Sequence, residues 1–134
     1  MKVILDTNVL ISGIFFGGPP LQILKAWHGS NLELLVSYEI LEEYVEVGER
    51  LMKKYPNVDP FPIIELIGLN ATIVSAYPLE RSVSKDPDDD KFLACATSGK
   101  GSHVISGDKH LLDVLNYQGI KIVSPRQFVD KYLK

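Results

Sequence analysis

Val3, Ile4 and Leu5 form an unbroken apolar run, and Asp6 follows it at once. Such a run, without polar alternation, suits a strand covered on both faces, the condition of a parallel sheet flanked by helices. This constrains the chain strongly, because parallel strands need crossovers long enough to hold helices. Asp6 would surface at the carboxyl end of the strand, the edge where open α/β sheets gather ligands and chemistry. An ionised carboxylate is costly there without a positive partner. Two uses are open to it: capping the turn or helix that follows, or serving a site.

The rest of the chain meets the crossover requirement. Gly13 to Pro20 reads as a turn-rich segment, and Pro20 opens a helix through Leu21, Ile23, Leu24 and Trp27 that Gly29 stops. Glu33 to Val36 reads as a second strand, and Ser37 as the N-cap of a long amphipathic helix ending near Lys54. Ile63 to Leu69 is a short helix and Ala71 to Ser75 a third strand. A polar section, residues 76–91, leads to a helix from Phe92 to Ser98. His103 to Ser106 and Ile120 to Val123 supply the fourth and fifth strands, and Pro125 opens a last helix through Tyr132 and Leu133. Strands alternating with helices imply a mainly parallel, doubly wound sheet, and residues 1–134 read as one domain.

Composition narrows the chemistry. Apolar residues make up 46% of the chain and charged residues 23%, with a net charge of -3, which argues against binding nucleic acid mainly through a basic surface. A nuclease whose acids are neutralised by metal stays open. The single Cys95, inside an apolar run, excludes an intramolecular disulfide and a cysteine zinc site. No stretch has the apolar length to span a bilayer and no basic-then-apolar leader precedes the first strand, so the expectation is a cytoplasmic protein without membrane contact. Neither a phosphate-binding glycine loop nor a nucleophile-elbow serine is present. His28 and His110 have no partner at metal-ligand spacing, and His103 begins a strand.

Acids are what the topology gathers. Leu5-Asp6 closes the first strand and Ser106-Gly107-Asp108 the fourth. If these strands are neighbours, the two aspartates lie side by side. Asp86-Pro87-Asp88-Asp89-Asp90 precedes the helix that returns to the fourth strand, and a helical wheel puts Asp89 on the face of Phe92, Leu93 and Ala96, with Asp90 on its flank. In the long helix, Ile40, Leu41, Tyr44, Val45, Leu51 and Met52 share one face. Glu42 and Glu43 sit on its shoulders, the wheel leaning slightly to Glu43 as the one nearer the interior. Carboxylates gathered this closely need a cation or protonation, and hard oxygen ligands without cysteine suit Mg²⁺ or Mn²⁺.

With those residues in view, the chain resembles the PIN-domain family of metal-dependent ribonucleases, which includes VapC-type toxins. Four segments in order carry the resemblance: Leu5-Asp6-Thr7-Asn8, Ser37 to Tyr44, Asp86 to Ala96, and Ile105-Ser106-Gly107-Asp108, with the ending Ile122 to Phe128. It implies a three-layer α/β/α fold with a five-stranded parallel sheet ordered 3-2-1-4-5. It further implies RNA phosphodiester hydrolysis with Asp6, Glu43, Asp89 and Asp108 as catalytic metal ligands, Asp86 as an accessory ligand, and Asn8 and Ser106 as their hydrogen-bond partners. The acid triplet leaves Asp89 and Asp90 as alternatives for the third position. Lys85, Lys91, Lys109 and Arg50 are candidates for the RNA backbone. The resemblance also implies an antitoxin protein as partner and a homodimer or higher homo-oligomer, with Phe15, Phe16 and Trp27 as contact residues or as core. A second reading is a catalytically weak module of this fold that binds RNA or protein. A phosphoryl-transfer domain with Asp6 as nucleophile fits less well, because Asp6-Thr7-Asn8 lacks the second aspartate that haloacid-type phosphatases place two residues on.

Overall fold

The computed structural model describes all residues, 1–134. Its sheet is built from β1 (Lys2–Leu5), β2 (Glu33–Val36), β3 (Thr72–Ile73), β4 (His103–Ile105), β5 (Asn116–Tyr117) and β6 (Ile120–Val123). The order is β3-β2-β1-β4-β6-β5, in which the first five are parallel and β5 pairs antiparallel with β6. The five parallel strands therefore stand in the expected 3-2-1-4-5 order, the expected fifth being β6. The added β5 is a two-residue strand folded back through Gln118 and Gly119, both at positive φ. β3 is shorter than its apolar run suggests, since it lies on the open edge with both residues exposed.

The helices are α1 (Thr7–Phe15), α2 (Gly18–His28), α3 (Tyr38–Lys54), α4 (Phe61–Asn70), α5 (Asp90–Gly99), α6 (Lys109–Leu112) and α7 (Pro125–Tyr132). Where a turn was expected from Gly13, α1 continues to Phe15. Gly13 is buried at the crossing with α2: a Cβ there would meet Leu24 Cδ1 at 2.9 Å and the Pro20 carbonyl carbon at 3.1 Å. That glycine serves close helix packing, and the turn falls instead at Gly17 and Gly18, with φ of +82° and +70°. α3 begins as its cap signals, with the Ser37 side chain accepting the Ile40 N–H. Ile40 and Tyr44 turn fully inward, while Leu41, Val45, Leu51 and Met52 stay half-buried at the rim of the same face.

β1, β2 and β4 carry Val3, Ile4, Leu5, Leu34, Leu35, Val36, Val104 and Ile105, all buried, between helices on both faces. Phe92, Leu93 and Cys95 of α5 join this core, and burial pushes the Cys95 thiol up to about 12, so it packs as an inert apolar group. No single helix is long and apolar enough to cross a membrane; the apolar helices α1 and α2 meet at 96°.

Candidate active site

Adjacent strands bring the acids together. β1 pairs with β4 in parallel register, Leu5 opposite Ile105, and the Asp6 N–H extends the ladder to the Ile105 carbonyl at 3.0 Å. Both strands then break off, so Asp6 and the Ser106-Gly107-Asp108 segment emerge side by side at the carboxyl edge. Ser106 Oγ donates to Asp6 Oδ2 at 2.6 Å and accepts the Asp108 N–H at 2.9 Å, linking the two acids through one hydroxyl. Asp6 stands at the start of α1 but makes no side-chain cap hydrogen bond, so its capping use is not taken up. Burial raises its pKa above the ordinary value, against the favourable Ser106 bond and the nearby Asn8 backbone N–H; Asp108 and Glu43 raise it further. Asn8 itself is exposed and lines a cleft of about 270 Å³ with Ser12, Gly107 and Asp108.

The acid triplet is sorted by its turn. Asp86 caps a single 3-10 turn, Pro87–Asp89, accepting the Asp88 N–H, and α5 follows directly. Asp90 turns back and accepts the Val83 and Ser84 backbone N–H groups, which fastens the preceding loop. Asp89 faces the other way, only 8% exposed, where Ser84 Oγ reaches it at 3.4 Å. The two residues have separate work, and of the pair Asp89 is the one beside Asp108. Asp89 titrates at about 7, through burial first, then the charge of Asp108 and a hydrogen bond shared with it, then the charges of Asp6 and Asp86.

Ligand atoms of Asp86, Asp89, Asp108 and His110 all lie within 4.8 Å of one another. His110 Nδ1 is 3.6 Å from Asp108 Oδ1, which also accepts the His110 backbone N–H at the start of α6. Spacing with other histidines gives no hint of His110; the Asp108-x-His110 step into a helix start is the signal that places it. Asp6 and Glu43 stand outside this group of four, although both contribute to the local negative field.

Glu43 is held from two sides. Thr7 donates its hydroxyl to one carboxylate oxygen and the Lys91 ammonium pairs with the other. Glu42 is exposed on the opposite shoulder of α3, so Glu43 is the one turned towards α1 and α5. Burial works against the Lys91 charge, but the Glu43 bond and the Glu43, Asp88 and Glu39 charges carry its pKa above the usual lysine value. Lys91 also donates to the Asp88 carbonyl at 2.8 Å and its side chain is 11% exposed, so it is committed to the acids and is not free for a phosphate backbone. Lys85, Lys109 and Arg50 are exposed. Thr7, Ser84 and His110 are the contributors that sequence patterns did not single out.

The donor set is carboxylate oxygen with one imidazole, and its like charges already push Asp89 towards protonation. Both features fit a hard divalent cation, with Asp86, Asp89 and Asp108 as the residues that could hold it. Among curated proteins, no match to the chain is found. Among protein families, the PIN domain matches residues 2–110, a span that contains every acid named above. Most of the sequence lies within that match, and the chain belongs to the PIN-domain family.

Proposed function

We propose that the protein is a Mg²⁺- or Mn²⁺-dependent endoribonuclease that hydrolyses single-stranded or structured RNA. The observation that carries this reading is the gathering of the Asp86, Asp89, Asp108 and His110 ligand atoms within 4.8 Å at the carboxyl edge of a PIN-family sheet. The charges of Asp108, Asp6 and Asp86 already help to push Asp89 up to about 7, and a cation among them would relieve that repulsion. When bound, a divalent ion supplies activation of a water and offsets charge on the phosphodiester in the transition state. The chain's own residues do the positioning. Ser106 orients Asp6 and the Asp108 backbone together, and Asp90 fastens the loop that presents Asp89. Thr7 and Lys91 hold Glu43 against α1 and α5, with Lys91 offsetting part of the negative field.

One observation favours the alternative, a catalytically weak module that binds RNA or protein. Glu43 is already paired with Lys91, so one of the four expected ligands is engaged within the chain. Incubating the purified protein with a labelled RNA pool in Mg²⁺, Mn²⁺ or EDTA separates the two. Cleavage that needs the ion and is lost in Asp6→Asn and Asp108→Asn is the expected outcome. RNA retention with no cleavage in either ion favours the binding module. The finer reading, a toxin held by an antitoxin protein and assembled as a homodimer or higher homo-oligomer, rests on the resemblance to VapC-type members. It predicts growth arrest on expression, relieved by the product of a neighbouring reading frame.

A further inference from the structure

Away from the acids, the largest aromatic feature on the surface is a trio of rings where α1 and α3 end together. Phe16 is 65% exposed. Its ring meets Tyr55 edge-on at 5.5 Å, and Phe15 meets Tyr55 at 6.0 Å. Lys54 Nζ lies 5.5 Å from the centre of the Tyr55 ring. Of the three residues expected either at a contact or in the core, Phe16 is therefore plainly outside, and a cation stands beside its aromatic partner.

The platform is connected to the acid site by one helix face. On α3, Glu43, Val47, Arg50 and Lys54 fall within about 60° of one another. Glu43 stands beside the acid group, and Arg50 and Lys54, both exposed, continue from it over a rise of about 16 Å. α1 runs beside α3 over the same length, tied at one end by Thr7 to Glu43 and at the other by Phe15 and Phe16 against Tyr55. Of the other α3 acids, Glu42, Glu46 and Glu49 line a separate groove with Tyr38, Leu41 and Val45, and Glu39 lies one turn before Glu43, on the side away from Arg50 and Lys54.

We infer that this face is the path of single-stranded RNA, with its phosphates along Arg50 and Lys54 and an unpaired base stacked on Phe16 and Tyr55. The inference rests on the ribonuclease reading of the acid site and places the path of its substrate on the surface. Two exposed cations leading to an exposed ring suit a flexible polyanion with unstacked bases, and a duplex keeps its base faces hidden. A second copy of this chain is a poorer occupant, since it would bury Arg50 and Lys54 against their own kind.

The test is the affinity of the full chain for a fluorescein-labelled oligouridylate in EDTA, read by anisotropy. Phe16→Ala and Tyr55→Ala weaken binding at least about fivefold, and Phe16→Trp restores it. Lys54→Ala lowers the slope of log affinity against log salt by about one. Unchanged affinity in both aromatic variants overturns the path, and so does equal binding of the same strand as a duplex. A dimer that Phe16→Ala converts to monomer, with RNA affinity unchanged, also overturns it and assigns the rings to a copy-to-copy contact. In each of those cases ion-dependent cleavage by the unsubstituted chain leaves the ribonuclease reading standing. If the unsubstituted chain neither binds nor cuts RNA, both fall.

Discussion

Strand β4 carries polar chemistry at both ends, and the two ends differ in kind. At its amino end His103 is buried, its ring nitrogens 2.8 Å from Ser102 Oγ and 3.0 Å from the Tyr132 hydroxyl, with Phe128 edge-on at 5.5 Å. At its carboxyl end Ser106 leads to Asp6 and Asp108, and the acids face other acids. Hydrogen bonding does not separate the two ends, because no buried side-chain nitrogen or oxygen lacks a partner. Charge does. The histidine is kept neutral by burial and by the Lys121 and Lys131 charges, so its partners complete it. The carboxylates have hydroxyl and N–H partners too, but they also face charges of their own sign, which a bound cation would offset.

Neutralising the carboxyl end should give the largest effect. Asp89→Asn and Asp108→Asn are expected to lower ion-dependent RNA cleavage by at least about 100-fold. The melting temperature without metal should hold or rise, since a repulsive charge is gone. His103→Ala should do the reverse, losing about 1–2 kcal/mol of stability with its two ring hydrogen bonds and leaving cleavage close to the unsubstituted rate. Loss of stability in all three variants, with cleavage intact, would erase the contrast.

The two ends should also pull stability in opposite directions with pH. Asp89 titrates at about 7 in the folded chain against an ordinary value near 3.8. The unfolded carboxyl therefore ionises first, and the folded state loses stability from this group as pH rises from about 4 to about 7. Allowing for solvent screening at this edge, the loss is about 1–2 kcal/mol without metal, and Mn²⁺ or Mg²⁺ should recover it. His103 has its folded pKa below the ordinary 6.5, so the unfolded ring takes up a proton first as pH falls. Its contribution is intact above about 6.5 and is lost below it. Urea titrations across pH should show the alkaline loss vanish in Asp89→Asn and the acid loss shrink in His103→Gln.

A smaller effect isolates the amino end alone. Tyr132→Phe removes one hydroxyl from His103 Nε2 and keeps the ring packing against Phe128, so it should cost about 1 kcal/mol in a thermal melt. RNA cleavage should not change.

How much of this could be read from the letters depends on whether a residue's role is local. The strand positions and the α3 cap follow from apolar runs and from Ser37, both short-range signals, whereas the strand order comes from the resemblance to the PIN-domain family. The convergence of Asp6 and Asp108 was legible because Asp6 follows β1 directly, Asp108 follows β4 within three residues, and those strands pair. Gly13 was misleading: glycine marks turns and close approaches alike, and only the α2 crossing shows which applies. Lys91 reads as a surface lysine until α5 and α3 come together and Glu43 takes its charge. Asp89 and Asp90 are neighbours of identical chemistry, and the direction of each is set by a 3-10 turn and by the loop that Asp90 fastens. His110 depends on its one-turn helix beside Asp86 and Asp89, a tertiary meeting with no periodic trace in the sequence.

His110 sets the finest test of the carboxyl end. Asp86, Asp89 and Asp108 offer hard oxygens, and His110 adds the single nitrogen donor of the group. Imidazole favours the softer transition ions over Mg²⁺, so a nitrogen that joins the carboxylates should tilt the site towards Mn²⁺. His110→Ala is then expected to lower Mn²⁺-supported cleavage by about two- to fivefold, as loss of a peripheral donor, and to leave Mg²⁺-supported cleavage nearly unchanged. His110→Ala should also leave the start of α6 in place, because its cap is the backbone N–H of residue 110 on Asp108. Equal losses with both ions would mean that His110 serves the acids through the Asp108 contact at 3.6 Å instead of meeting the ion. The same side chain would then belong with His103, as a group satisfied inside the chain.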